Sequence, residues 1–175
     1  MKRLIGICIV AALISSIISL VAGQNISSQL TDVADKIERS ISEKMSGWEH
    51  RRGEPIVKSE NVLLSYWYFQ RRVVKISVVP HKSASEARDA LQRFARDGRS
   101  KEQLGDLGEE GYSWGADGSE VAFRKGNLTI YVSTNVEIDG PETAMLSREE
   151  RGKRKSSEEK KLNREFAKLV ADALK

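Results

Sequence analysis

The chain has 175 residues, 39% of them hydrophobic and 31% charged, with a formal net charge of +4 and one cysteine. Lys2 and Arg3 carry half of that charge, and residues 1–23 hold no acid. The roughly 150 residues that follow suit one domain burying about 70% of its unfolded surface, and their near-neutral balance gives no case for a nucleic-acid partner.

Met1, Lys2 and Arg3 precede twenty uncharged residues, Leu4 to Gly23. A short positive start, an apolar run and small residues before a polar one form the secretory-signal pattern. No positive charge follows the run until Lys36, an asymmetry that keeps the start inside and sends the rest across. Val21 and Gly23 are small enough for the positions ahead of a peptidase cut, and Ser15, Ser16 and Ser19 thin the hydrophobicity. Residues 1–23 are therefore read as a signal peptide cleaved before Gln24. A twenty-residue run is also long enough for an uncleaved anchor, and the membrane would then be met through this segment alone. Cys8 lies inside the run, where it cannot be a lipoprotein cysteine. The rest of the chain can form no disulfide, which favours a bacterial secreted or periplasmic domain over a disulfide-dense eukaryotic one. The N-x-S/T triplets at Asn25 and Asn127 are too common by chance to weigh against that.

Leu30, Val33, Ala34, Ile37, Ile41 and Met45 recur at helical spacing, and Gly47 with Gly53-Glu54-Pro55 ends that helix. Val62–Phe69 and Val73–Val79 read as strands joined by Gln70-Arg71-Arg72, with Pro80 as the stop. Ser83 and Glu86 suggest a capping box for a second helix, with Ala87, Leu91, Phe94 and Ala95 on its apolar face. A glycine-rich approach, Leu104 to Gly111, leads to a second hairpin, Glu120–Arg124 and Leu128–Thr134, turned at Lys125-Gly126-Asn127. Ser156 and Glu159 suggest a box opening the last helix, whose face is Leu162, Phe166, Leu169, Val170 and Ala173.

One offset of 54 residues places Phe69 on Phe123, Val74 on Leu128, Ile76 on Ile130 and Val78 on Val132. It also places Val33 on Ala87, Ile37 on Leu91 and Ile41 on Ala95. The pattern predicts an α+β fold: an antiparallel sheet of four to five strands with helices on one face. Residues 24–175 form its single domain, with repeat units at about 28–80 and 83–134 and a closing helix at about 156–175. Alternation along the strands turns Trp67, Phe69, Val74, Ile76, Val78, Val121, Phe123, Leu128, Ile130 and Val132 inward. The other face carries Leu64, Tyr66, Tyr68, Lys75, Ser77, Arg124, Thr129 and Tyr131. Among these, Tyr66, Tyr68, Lys75, Arg124 and Tyr131 are the candidate platform for a ligand or partner, since tyrosine suits interfaces. A half-solvated sheet face with cross-strand aromatic pairs accounts for the same residues.

Catalytic and metal chemistry find little support. Gly111-Tyr112-Ser113-Trp114-Gly115 matches a nucleophile elbow, but that motif needs a strand before it, a helix after it and a later histidine. Both histidines, His50 and His81, come earlier and read as exposed loop residues. No metal, cofactor or phosphate-binding spacing is present. Arg148 to Lys161 reads as a solvated linker and helix start, its Arg151-Gly152-Lys153-Arg154-Lys155 core nearly cancelled by neighbouring glutamates.

Leu104-Gly105-Asp106, Glu110-Gly111-Tyr112-Ser113-Trp114 and Val121-Ala122-Phe123-Arg124-Lys125-Gly126-Asn127-Leu128 together resemble a segment of small exported bacterial domains of unknown function. The resemblance spans about 30 residues, with Leu107-Gly108 inserted after the aspartate. It implies an extracytoplasmic α+β domain and carries over no functional residues. The sequence thus points to an exported, non-enzymatic domain of the bacterial envelope or secretome that binds a protein or small molecule. The alternatives are a small extracytoplasmic hydrolase with an acidic site near Asp106, Glu109 and Glu110, or a membrane-tethered structural envelope protein.

Overall fold

The computed structural model describes residues 28–54, 61–97, 102–115, 118–138, 140 and 143–175. The apolar segment, Cys8 and the expected cleavage point before Gln24 lie outside them. Among the described residues no helix is long and apolar enough to cross a membrane.

Helix α1 covers residues 28–44. Val33, Ala34, Ile37 and Ile41 are its buried stripe, as their spacing requires. The chain then reverses through Gly47, whose φ of +84° few other residues adopt. Strand β1 follows at Glu49–Gly53, β2 at Leu63–Phe69 and β3 at Arg72–Pro80. Helix α2 is Ala84–Asp97, with Ser83 Oγ accepting from the Glu86 N–H at 3.1 Å. The Glu86 carboxylate returns to the N–H of Lys82, one residue earlier than a reciprocal box would place it. Strands β4, β5, β6 and β7 occupy Glu102–Gln103, Glu110–Trp114, Glu120–Lys125 and Leu128–Val136, and α3 runs Arg148–Ala173.

The fold is α+β, and its sheet has seven strands rather than four or five, in the order β1-β2-β3-β7-β6-β5-β4 with every pair antiparallel. The strands to which the sequence reading assigned no bounds are β1, β4 and β5. β1 has no apolar alternation to announce it, because its core-side residues His50 and Arg52 are held by Glu38 and Asp35 on α1. β4 is two residues long, and β5 falls at Gly111-Tyr112-Ser113-Trp114-Gly115, whose glycines read as turns around a strand without fixing its ends.

Helices cover both faces of the sheet, not one. On the first face α1 and α3 close over Trp67, Val74, Ile76, Val78, Phe123, Ile130 and Val132, with Phe166 fully buried among them. On the second, Leu91 and Ala95 of α2 pack on Tyr112, Trp114 and Ala122. The equated strand positions therefore share a face, while α1 and α2 lie on opposite ones. The helix–hairpin repeat read from the 54-residue offset is thus not borne out as a unit.

Helix α3 starts eight residues before Ser156, at a capping box formed by Ser147 and Glu150. Its first turns are thus helix rather than linker. Lys153–Glu149 at 2.6 Å and Lys155–Glu159 at 3.6 Å bridge successive turns there.

Candidate functional site

Directly opposed residues form rows across the sheet. One row on the α2 face runs Arg51, Tyr66, Lys75, Ser133, Glu120 and Trp114, from β1 to β5. The next runs Leu64, Ser77, Tyr131, Ala122 and Tyr112. α2 roofs the β5–β6–β7 half of these rows and leaves the β1–β2–β3 half uncovered.

At the step between the halves lies a cleft of about 270 Å³, walled by Phe94, Trp114 and Tyr131. Lys75, Ser77, Glu120 and Ser133 supply its polar groups. The Phe94 ring stands edge-on to Trp114 at 4.4 Å and 4.7 Å from Tyr131, yet Phe94 is 40% exposed. Burial pushes the Tyr131 hydroxyl above its ordinary pKa, against the nearby Arg93 charge. Lys75 and Glu120 flank Ser133, two strand spacings or roughly 9–10 Å apart. Neither side chain forms an ion pair or hydrogen bond with another described residue.

Of the five residues singled out in the sequence, the fold brings Lys75 and Tyr131 into this cleft and Tyr66 directly beside Lys75. Tyr68 stacks on Tyr66 at 6.4 Å, with the Arg51 guanidinium 5.2 Å above its ring. Arg124 does not join them. It lies under the N-terminal end of α2, 5% exposed, where Nη1 pairs with Glu109 and donates to the Gly126 carbonyl. Its Nε has no partner among the described residues. Tyr131 likewise is half-buried rather than displayed. Sequence reading missed Phe94, Trp114, Glu120 and Ser133. Phe94 had been counted with the apolar face of α2, and only its position at the helix's flank exposes it.

Two acids of the alternative reading, Glu109 and Glu110, have hydrogen-bond partners. Glu109 accepts the Gly126 N–H at 2.9 Å, which with Arg124 holds its carboxyl below the usual range despite some desolvation. A carboxyl so held is a poor proton donor near neutrality. Glu110 accepts from the Tyr112 hydroxyl at 2.7 Å. Glu109 thus holds the Gly126 turn, and Glu110 a neighbour in its own strand.

The histidines are placed differently from their sequence reading. His81 follows β3 and meets Thr129 Oγ1 at 3.0 Å, while its carbonyl accepts from Asn127 Nδ2 at 2.9 Å. Burial, with Arg93, lowers its pKa, against the pull of Glu86. His50 is a strand residue stacked on Trp67 at 4.6 Å, its side chain 14% exposed. Its Nε2 lies 2.8 Å from Ser65 Oγ, and its Nδ1 lies 3.3 Å from Glu38. One proton arrangement satisfies the whole chain: Trp67 Nε1–H donates to Ser65 Oγ, Ser65 O–H to Nε2, and Nδ1–H to Glu38.

That order imitates an acid–base–nucleophile relay. Ser65, however, is only 4% exposed, and its oxygen already accepts from Trp67 at 3.1 Å. The relay fastens β1 to β2 and α1. Ser113, the serine of the elbow-like motif, is buried within β5, and neither histidine is bonded to it. Among the described residues no cluster of three or more metal-ligating side chains occurs. No protein-family model, curated protein or solved structure matches the chain.

Proposed function

We propose that this chain is an exported, non-enzymatic binding module of the bacterial envelope or secretome, and that it docks a protein partner on the uncovered half of its sheet. The observation that carries the reading is the Phe94–Trp114–Tyr131 cleft, aromatic, open and flanked by Lys75 and Glu120, whose side chains have no ionic partner among the described residues. Its volume of about 270 Å³ falls just under the range of roughly 300–1,000 Å³ common for small-ligand pockets. One large apolar side chain from a partner fits that size, with groups of opposite charge meeting Lys75 and Glu120. Tyr66, Tyr68 and Arg51 extend the surface with residue types enriched where proteins meet. The exported address rests on the N-terminal segment: an N-terminus at Gln24 in the mature protein supports release, whereas one at Met1 supports a tether.

A photo-crosslinking residue placed at Tyr66 or Lys75 in cells exporting the protein tests the docking face. A discrete adduct is expected at these positions and not at Glu149 on α3, and Phe94→Ser is expected to remove it. Phe94→Ser removes two ring contacts and is expected to cost about 1–3 kcal/mol, so circular dichroism checks that the variant is folded. The same adducts from the sheet face and from Glu149, or adducts indifferent to Phe94→Ser, would overturn the reading.

A further inference from the structure

On the opposite side of the sheet a larger cleft, about 520 Å³, opens between the end of α1, the β2–β3 turn and α3. We infer that it is a binding site for an anionic amphiphile: a single apolar chain or ring system bearing one carboxylate, sulfonate or phosphate head. It is separate from the docking face and does not depend on it.

The apolar wall is Met45, Trp48, Phe69 and Leu162. Trp48 stacks on Phe69 at 5.6 Å and stands edge-on to the buried Phe166 at 4.8 Å, so the wall is anchored to the core rather than loosely placed. The charges at the rim sort into those already used and those still available. Arg72 lies over the Phe69 ring at 5.9 Å and gives its Nε–H to Glu158 at 2.6 Å, so this pair is mutually satisfied. Arg154 and Lys161 are exposed on α3, and the side chain of neither has an ionic or hydrogen-bonding partner among the described residues. Only Glu165 opposes them at the rim.

Two available cations against one acid select a negative head, which a guanidinium fork and a lysine ammonium can both bond. A cationic or neutral amphiphile would leave Arg154 and Lys161 without a partner. The volume lies inside the range of roughly 300–1,000 Å³ for small-ligand pockets, so a whole ligand fits here where the Phe94 cleft takes only a side chain.

The test uses 8-anilinonaphthalene-1-sulfonate fluorescence on the purified protein, with displacement by dodecanoate below its micelle concentration. Dodecanoate is expected to displace the probe at one site, and dodecyltrimethylammonium is not. Arg154→Glu combined with Lys161→Glu is expected to weaken dodecanoate by about tenfold or more. Ser157→Trp, which puts an indole into the cleft from the helix surface, is expected to abolish displacement. Lys75→Glu, at the other cleft, is expected to change nothing. Equal displacement by the cationic analogue, or dodecanoate binding untouched by Ser157→Trp, would overturn the assignment. Circular dichroism checks each variant. Should the double charge reversal unfold the protein, the Ser157→Trp result decides alone.

Discussion

Ser65 Oγ accepts from the Trp67 indole at 3.1 Å and lies 2.8 Å from the His50 ring, joining a fully buried core residue to the outermost strand. Ser65→Ala would strand both the indole N–H and the imidazole nitrogen in a buried setting. A loss of about 1–3 kcal/mol in urea unfolding is expected. His50→Ala is expected to couple with it by at least about 0.5 kcal/mol in a double-mutant cycle, since both changes break one chain of bonds. Additive losses would show the bonds to be independent.

Three glycines offer a graded comparison around the turn that holds Glu109. Gly108 has a φ of +60°, and a Cβ there would run into the carbonyl oxygen of Arg124. Gly108→Ala combines that clash with the positive-φ penalty and is expected to cost more than about 2 kcal/mol. Gly126, at +57° with open space around it, meets only the backbone penalty of roughly 1–2 kcal/mol. Gly105 has neither problem, and Gly105→Ala is expected to be neutral or mildly stabilising. Thermal or urea unfolding of the three variants checks the order.

His81 supplies a dependence on pH. Burial keeps its folded pKa below the value of about 6.5 for a free histidine, so the unfolded chain binds its proton more readily. The stability that His81 confers is then complete above pH 6.5 and is lost as the pH falls through the lowered folded value. Urea midpoints between pH 8 and 5 are expected to drop less in His81→Gln than in the parent protein. A parallel decline in both would assign the sensitivity to other groups.

The hairpins and the inward faces of Trp67, Ile76, Phe123 and Ile130 were legible because alternation and apolar content agreed there. β1 was not, since its inward residues are His50 and Arg52, and what holds them is a helix before it in the chain. The N-terminal half of α3 was hidden for a related reason. Arg148 to Lys161 contains no apolar residue for periodicity to count, and its helix rests on a cap and on charge pairs. For the site, local pattern identified which residues share a face with Tyr66 and Lys75. It could not tell which part of that face a helix would cross. α2 chose the Arg124 and Thr129 end, and so turned a presumed platform into a half-roofed sheet with a step at Phe94.

The two outer strands also bear on how this protein behaves in company. A sheet of this kind ends in two rows of unsatisfied backbone groups, which invite pairing with another chain. At one end stands β4, only two residues long. At the other stands β1, Glu-His-Arg-Arg-Gly, with Glu49, Arg51 and Arg52 exposed. Neither end offers a long, flat, apolar template, so a second copy that aligned against β1 would bring arginine close to arginine. The charged sequence that gives β1 no apolar alternation also makes it a poor template for edge-to-edge pairing.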